Sequence, residues 1–349
     1  LLVLTALPGV VGAQLLNPPP DVPPVDAVTA PAPATEEQVF TKFRHDLINL
    51  LVLRADAHLL MAAAQIAAPD GKDPSRLAAK KTPALLKRAQ EYAPKDPLVL
   101  WVAASNACVS SPGCADPVAA KKLQMIDADN AAAWLLSYPA DDNAQKARAT
   151  VARMAQAQRF DDYWAADVVA LFHALETLPV PGEVARRGVN PDAARINFAT
   201  STASTILPAA LARLGKFCAA ADTKDSALVS DCIAVARKFE SGGTFISQAA
   251  GFAIEEALLA PGVDRDVMLT RNRAAIWQKE KFLQVSDRFA GDPGLAQGYV
   301  RLLGSAGNEL ATVSALLREQ NIPSDPPADW QPPEAKPAQD PLTAPAVQH

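Results

Sequence analysis

Apolar residues along this chain recur every three to four positions, the spacing that lines one face of a helix. The first such run follows Thr35-Glu36-Glu37-Gln38, which has the pattern of a capping box. Val39, Phe40, Phe43, Leu47, Leu50 and Leu51 then continue at helical spacing into the Ala-rich Met61–Ala68 stretch, so one long helix is predicted, ending before Pro69-Asp70-Gly71. Thr82-Pro83 supplies an N-cap and a first-turn proline for the next helix, with Leu85, Leu86, Ala89 and Tyr92 on one face. Further helices are predicted over 97–109, 116–126, 130–139, 142–157, 162–178, 191–220 with an interruption at Pro208, 225–240, 244–260, 263–290 and 293–319. Most connections are short turns, and no alternating run with hairpin punctuation suggests a strand. The expected fold is all-α, an array of antiparallel helical hairpins.

The two ends break this pattern. Residues 14–34 hold seven prolines and residues 322–349 hold eight, so both are expected to be disordered Pro-rich termini. Trp330 is the side chain in the second that could dock part of it onto the body. Ahead of the first, Leu1–Ala13 is a short apolar run ending in Val11-Gly12-Ala13, the small-residue pattern a signal peptidase accepts. We read residues 1–13 as a signal peptide remnant, 14–34 as a Pro-rich linker, 35–180 as a helical-repeat region and 181–321 as a second helical region of the same or an adjoining domain. Residues 322–349 form a Pro-rich tail. The expected location is periplasmic or secreted, with no transmembrane segment in the mature chain, because no stretch approaches the ~20 apolar residues a span needs.

Composition sharpens this picture in two ways. Of the 349 residues, 49% are hydrophobic, mostly Ala and Leu, and 6% aromatic, which favours helices over strands. The net charge is -5 with Lys and Arg scattered, so no basic stripe points to nucleic acid. The four cysteines have no CxxC spacing and no accompanying His pair, which argues for disulfides rather than zinc. Cys108 and Cys114 flank the turn Ser110-Ser111-Pro112-Gly113, and Cys218 and Cys232 sit at facing ends of a helix pair. The expected bridges are therefore 108–114 and 218–232.

The segment Ile126-Asp127-Ala128-Asp129-Asn130-Ala131-Ala132-Ala133-Trp134 resembles the junction between tetratricopeptide repeats. Ala93-Pro94-Lys95-Asp96-Pro97 leading to Trp101 looks like a second junction, and Trp101 and Trp134 lie 33 residues apart, close to the family's 34. Arg159-Phe160-Asp161-Asp162-Tyr163-Trp164 is a third. The resemblance covers roughly residues 80–180 and implies a tetratricopeptide-like α-solenoid in part, in which each Trp fills the groove of its hairpin and a concave face binds a protein or peptide.

Candidate chemistry is sparse. His45 and His58 on one long helix would stand about 20 Å apart, too far to share a metal. His173 is expected at the boundary of a packed helix, and His349 lies in the tail. Asp161 and Asp162 are expected to cap the helix starting near Tyr163. Glu255 and Glu256 lie within the apolar run Phe252–Ala260 and point ~100° apart, so at least one must face a packed surface or groove. Ser241-Gly242-Gly243-Thr244 reads as a helix stop and the next N-cap. The charges of 263–290, from Arg265, Arg271 and Arg273 to Lys279, Lys281 and Arg288, read as a solvated face. No catalytic residue, metal ligand or cofactor is assigned, and the lean is away from an enzyme.

The expected function is binding of a protein or peptide partner in the cell envelope. The alternatives are an envelope enzyme whose site is assembled from distant residues, or a secreted inhibitor or immunity protein. A deep polar pocket gathering His173 or Glu255 and Glu256 would favour the enzyme, whereas a concave groove lined by apolar and Arg side chains would favour binding. Non-reducing peptide mapping of exported material should find the bridges 108–114 and 218–232; four free thiols would refute both.

Overall fold

The computed structural model describes residues 35–68, 76–106, 116–183, 188, 190–205 and 209–333. Contacts divide the chain into Leu1–Thr35 and Glu36–His349, and every element below belongs to the second unit. The expected signal remnant, the linker 14–34, Cys108, Cys114 and the turn between them, Pro208, and the tail from 334 to His349 lie outside the described residues.

Among the described residues the fold is all-α, with fifteen α-helices and no strand. They are α1 (Glu36–Leu51), α2 (Ala57–Ile66), α3 (Arg76–Tyr92), α4 (Pro97–Asn106), α5 (Pro117–Ile126), α6 (Ala131–Leu135), α7 (Ala144–Gln156) and α8 (Trp164–Glu176). There follow α9 (Pro191–Ser204), α10 (Ala209–Ala219), α11 (Ser226–Ser241), α12 (Phe245–Leu258), α13 (Val263–Ser286), α14 (Pro293–Ala306) and α15 (Glu309–Glu319), with a 3-10 turn at Asp287–Ala290 before α14. Asp and Asn begin many of them because their side chains accept free N–H groups at the helix start: Asp116 caps α5, Asn130 α6, Asn143 α7, Asp225 α11 and Asp292 α14. None of the described helices is long and apolar enough to cross a membrane.

Three expected helices are corrected. The long helix from Thr35 is two, α1 and α2, because the Asp56 carboxylate caps Leu59 N–H at 2.9 Å and starts a new helix. His45 and His58 are therefore on different helices. Pro83 does not start α3 but lies inside it, and Thr82 instead donates its hydroxyl to the Ala64 carbonyl of α2 at 3.1 Å. The expected 293–319 helix splits at Gly307, whose φ of 76° is the left-handed geometry of a helix end, and Asn308 caps α15.

Packing follows from which helices are apolar all round. In α2 every residue from Leu60 to Ile66 is buried, in α4 every residue from Leu98 to Ala104, and in α8 nine of thirteen. Such helices are covered on all sides. α2 packs against α1, α3, α4 and α8, and α8 also meets α9 and α14. Hairpin neighbours α4 and α5, α6 and α7, α8 and α9, and α11 and α12 are in contact, and the contacts of α2 with α8 and of α8 with α14 are additional to these. The two halves expected from sequence thus share α8 as a common wall.

The three junctions likened to tetratricopeptide turns fall between α3 and α4, α5 and α6, and α7 and α8. Trp134 lies under Arg153 of α7, Trp164 donates its indole N–H to Ser204 of α9 at 3.2 Å, and Trp101 meets Tyr163 at a ring distance of 5.7 Å. Cys218 of α10 and Cys232 of α11, both fully buried, are bonded with Cα atoms 5.7 Å apart. Residues 322–333 are not helical and lie along α13, with Trp330 against Trp277.

The tightest helix contact joins α11 and α12. A Cβ built on Gly251 would lie 2.5 Å from the Ala236 carbonyl oxygen and 3.0 Å from Glu240 Cγ. Gly251→Ala should therefore cost about 1–3 kcal/mol through overpacking, read by chemical denaturation, whereas Gly291→Ala, with nothing within 4 Å, should stay within about 0.5 kcal/mol. Equal effects of the two would refute the close approach.

Candidate functional site

A groove of about 590 Å³ is formed by one face each of α8, α9 and α14. α8 contributes Val169, Phe172, His173 and Glu176, and α14 contributes Gln297, Val300, Arg301 and Gly304; both sets have the i, i+3, i+4, i+7 spacing of a single helix face. Asp192 and Arg195 of α9 complete it. The start of α9 is fixed by Asn190, whose side chain accepts Asp192 N–H at 3.1 Å while its own backbone N–H reaches the Ala290 carbonyl at 3.1 Å. The end of the 3-10 turn and the start of α9 are held together by that bond, so α9 and α14 enter the groove in a set relation.

Phe172 and Val300 are buried and form an apolar floor, while His173, Glu176 and Arg301 are exposed at the rim. His173 Nδ1 lies 2.9 Å from Glu176 Oε2. Asp192 receives Arg195 at 2.8 Å and Gln297 at 3.0 Å, which fixes both donors. The buried Arg195 Nε–H is left with no hydrogen-bond partner, and among the described residues Arg301 has no carboxylate partner. The groove thus offers an apolar strip beside one exposed cation, Arg301.

A second, smaller groove of about 370 Å³ lies beside α11, α12 and α13 and is lined by Arg237, Glu240, Phe252, Arg271 and Gln278 among others. Next to it two carboxylates meet two guanidinium groups. Glu255, with no exposed surface, accepts Arg237 Nε at 2.8 Å and Arg271 Nη2 at 2.6 Å; Arg271 Nε donates to Glu240 at 2.9 Å. Burial and the neighbouring Glu255 push the Glu240 carboxyl up, against the pull of Arg271. Of the two glutamates, at least one of which was expected to face inward, Glu255 is the buried one, and Glu256 points out to pair with Arg265 at 3.3 Å. Both oxygens of Glu255 are engaged by arginine, so the carboxylate is a structural anion in this arrangement.

Where helices converge, Asp162 and Asp167 are buried and Asp161 and Glu309 half-buried. Asp161 and Asp162 accept the N–H groups of Tyr163 and Trp164 at 2.8 and 3.3 Å, the helix-start role expected of them. Asp162 also accepts the Thr244 hydroxyl at 3.2 Å, and Glu309 accepts Phe245 N–H at 2.8 Å. Burial raises Asp162 from 3.8 to about 6 despite the Trp164 N–H, and raises Glu309 from 4.5 to about 7, with Asp162 nearby adding to it. On α8, Asp167 is pushed by burial to about 7, opposed by the amide of Gln65, which donates to it at 2.6 Å from α2.

The sequence-stated histidines are not brought together. His45 is exposed beside Asn49, His58 meets Asp96 at 2.9 Å, and His173 is an exposed rim residue rather than the packed-boundary residue expected. The hydrogen bond that the His58 ring donates to the Asp96 carboxylate holds its pKa above the usual value. Among the described residues no group of three or more His, Cys, Asp or Glu side chains is placed to hold a metal. Comparison with family models, with curated proteins and with solved structures finds no match. Sequence reasoning missed Arg301, Arg195 and Glu240. The shared helical spacing of 169, 172, 173 and 176 with 297, 300, 301 and 304 was visible, but nothing local said that these two faces meet.

The buried carboxyls impose a pH dependence. Each keeps its proton to higher pH in the folded chain than in the unfolded one, so its stabilising share is complete below pH ~4 and is lost as pH rises through about 6 to 7. Asp167→Asn, which keeps a hydrogen-bonding partner for Gln65 without the charge, should match the parent near pH 4 and exceed it by on the order of a few kcal/mol at pH 8. Melting across that range checks it; a difference independent of pH would exclude Asp167 as a titrating group.

Proposed function

We infer that this chain is an exported helical protein that binds a protein or peptide partner in the cell envelope through the α8–α9–α14 groove. The observation that carries this reading is the combination of an apolar floor, Phe172 and Val300, with the exposed rim cation Arg301, which has no carboxylate partner among the described residues. A groove of that kind takes an apolar side chain in its floor and a carboxylate or backbone carbonyl at its rim. The tetratricopeptide-like register of α3 to α8 supports the same class of function, since α8, the last helix of that register, is also a wall of the groove. Export is supported by the apolar Leu1–Ala13 run and by the bonded Cys218–Cys232 pair, which suits an oxidising compartment.

The test is capture from the envelope with the mature chain as bait. The wild-type chain should retain a partner, and Arg301→Glu at the exposed rim should weaken retention about tenfold or more, with unchanged melting. If nothing is retained while a small molecule raises the melting temperature, the binding reading falls.

A further inference from the structure

The α13 helix presents Arg273, Trp277, Gln278 and Lys281 on one face, at i, i+4, i+5 and i+8. Beyond α15 the chain turns at Asn321, whose φ of 56° is left-handed, and runs back over this face as residues 322–333. Trp277 Nε1–H donates to the Pro323 carbonyl at 2.9 Å, and Gln278 Nε2 donates to Ser324 at 3.2 Å. Arg273 donates to the carbonyls of Pro327 at 2.6 Å, Ala328 at 3.3 Å and Trp330 at 3.2 Å. The Trp330 ring meets Trp277 edge-on at 5.4 Å and lies under the Arg273 guanidinium at 5.5 Å.

Every one of these hydrogen bonds ends on a main-chain carbonyl of the segment. A proline-rich segment has carbonyls but few N–H groups; here the Trp330 N–H closes a turn on the Pro327 carbonyl at 3.1 Å, and side-chain donors meet the carbonyls of Pro323, Ser324, Ala328 and Trp330. Arg, Trp and Gln side-chain nitrogens are the donors such a segment can use, and an aromatic face is what its rings pack on. Only Ile322, Pro326 and Trp330 of 322–330 are half-buried, every fourth residue, and the rest is exposed. The segment therefore lies on the surface as a ligand does, rather than filling a core.

We propose that the Arg273–Trp277–Gln278 face is a receptor site for proline-rich segments of a partner polypeptide, occupied in cis by residues 322–333. The tether is a two-residue turn from α15, which sets an effective concentration on the order of millimolar, so the cis segment acts as a built-in competitor. A partner must then outbind it or present several such segments. The site is separate from the α8–α9–α14 groove and does not rest on it.

The experiment uses the full chain carrying Trp330→Ala, which removes the aromatic anchor of the cis segment on Trp277 and Arg273, and a labelled peptide of the sequence Pro323–Pro333 read by fluorescence anisotropy. The peptide should bind the variant saturably and about tenfold or more tighter than it binds the wild type, where the site is filled. Adding Arg273→Ala, or Gln278→Ala if Arg273→Ala alters the melting curve, should lower binding about tenfold, as should replacing the peptide's prolines by glycine. Arg301→Glu should leave peptide binding unchanged, which separates this site from the groove. Equal binding by wild type and Trp330→Ala, equal binding of the glycine peptide, or a concentration-dependent dimer that accounts for the signal would overturn the proposal.

Discussion

Everything in this fold depends on covering α8. Nine of its thirteen residues are buried, including Val168, Leu171, Phe172 and Leu175, and a helix apolar on nearly every side must be surrounded by protein. α2 covers one side, α9 and α14 others, which draws residues 57–66 and 293–306 onto the same element. The one polar group that α8 brings inside, Asp167, is met by Gln65 of α2 at 2.6 Å across 102 positions of sequence. Because an unpartnered buried carboxyl is costly, that bond specifies which face of α2 meets α8. The groove is a by-product of the same arrangement. α8 shows α9 and α14 the strip from Val169 to Glu176, and where the three helices diverge at the surface the strip stays open.

Charge is handled differently in the core and at the rim. Inside, carboxyls are placed at helix starts or against arginine pairs: Asp162 and Glu309 on backbone N–H groups, Glu255 between Arg237 and Arg271. Burial nevertheless raises Asp162, Glu309 and Asp167 into the range of neutral pH, because the hydrogen bonds do not repay the lost hydration in full. At the rim of the groove the balance reverses. Arg301 is exposed and has no carboxylate among the described residues, whereas the Arg195 Nε–H that Asp192 leaves unpaired is buried.

The segment 322–333 shows the same economy on another face. Its carbonyls are taken by Arg273, Trp277 and Gln278, and its Trp330 by the Trp277–Arg273 pair. The α13 charges expected to form only a solvated face are divided by this contact and by the Glu240–Glu255 cluster: Arg271 turns inward, Arg273 holds the segment, and Arg265 pairs with Glu256. The expected docking of Trp330 is what the structure shows, and its receptor was not visible in the sequence because Trp277 and Arg273 are 53 and 57 residues away.

The amino-acid sequence by itself determined that the chain is helical, and where most helices start, because apolar spacing and Asp or Asn caps act within a few residues. Asp161 and Asp162, and Ser241-Gly242-Gly243-Thr244, were legible for that reason. Where two local signals competed, reading failed: Asp56 outweighed apolar continuity between Leu51 and Ala57, Gly307 broke the apparent helix 293–319, and Pro83 was carried inside α3. Pairing of distant helices lay beyond local rules. That Gln65 meets Asp167, that Glu240 and Glu255 share Arg271, and that the strips on α8 and α14 face one another were decided only by tertiary packing. Burial and partner distance are properties of the assembled core, and no single helix contains the information that sets them.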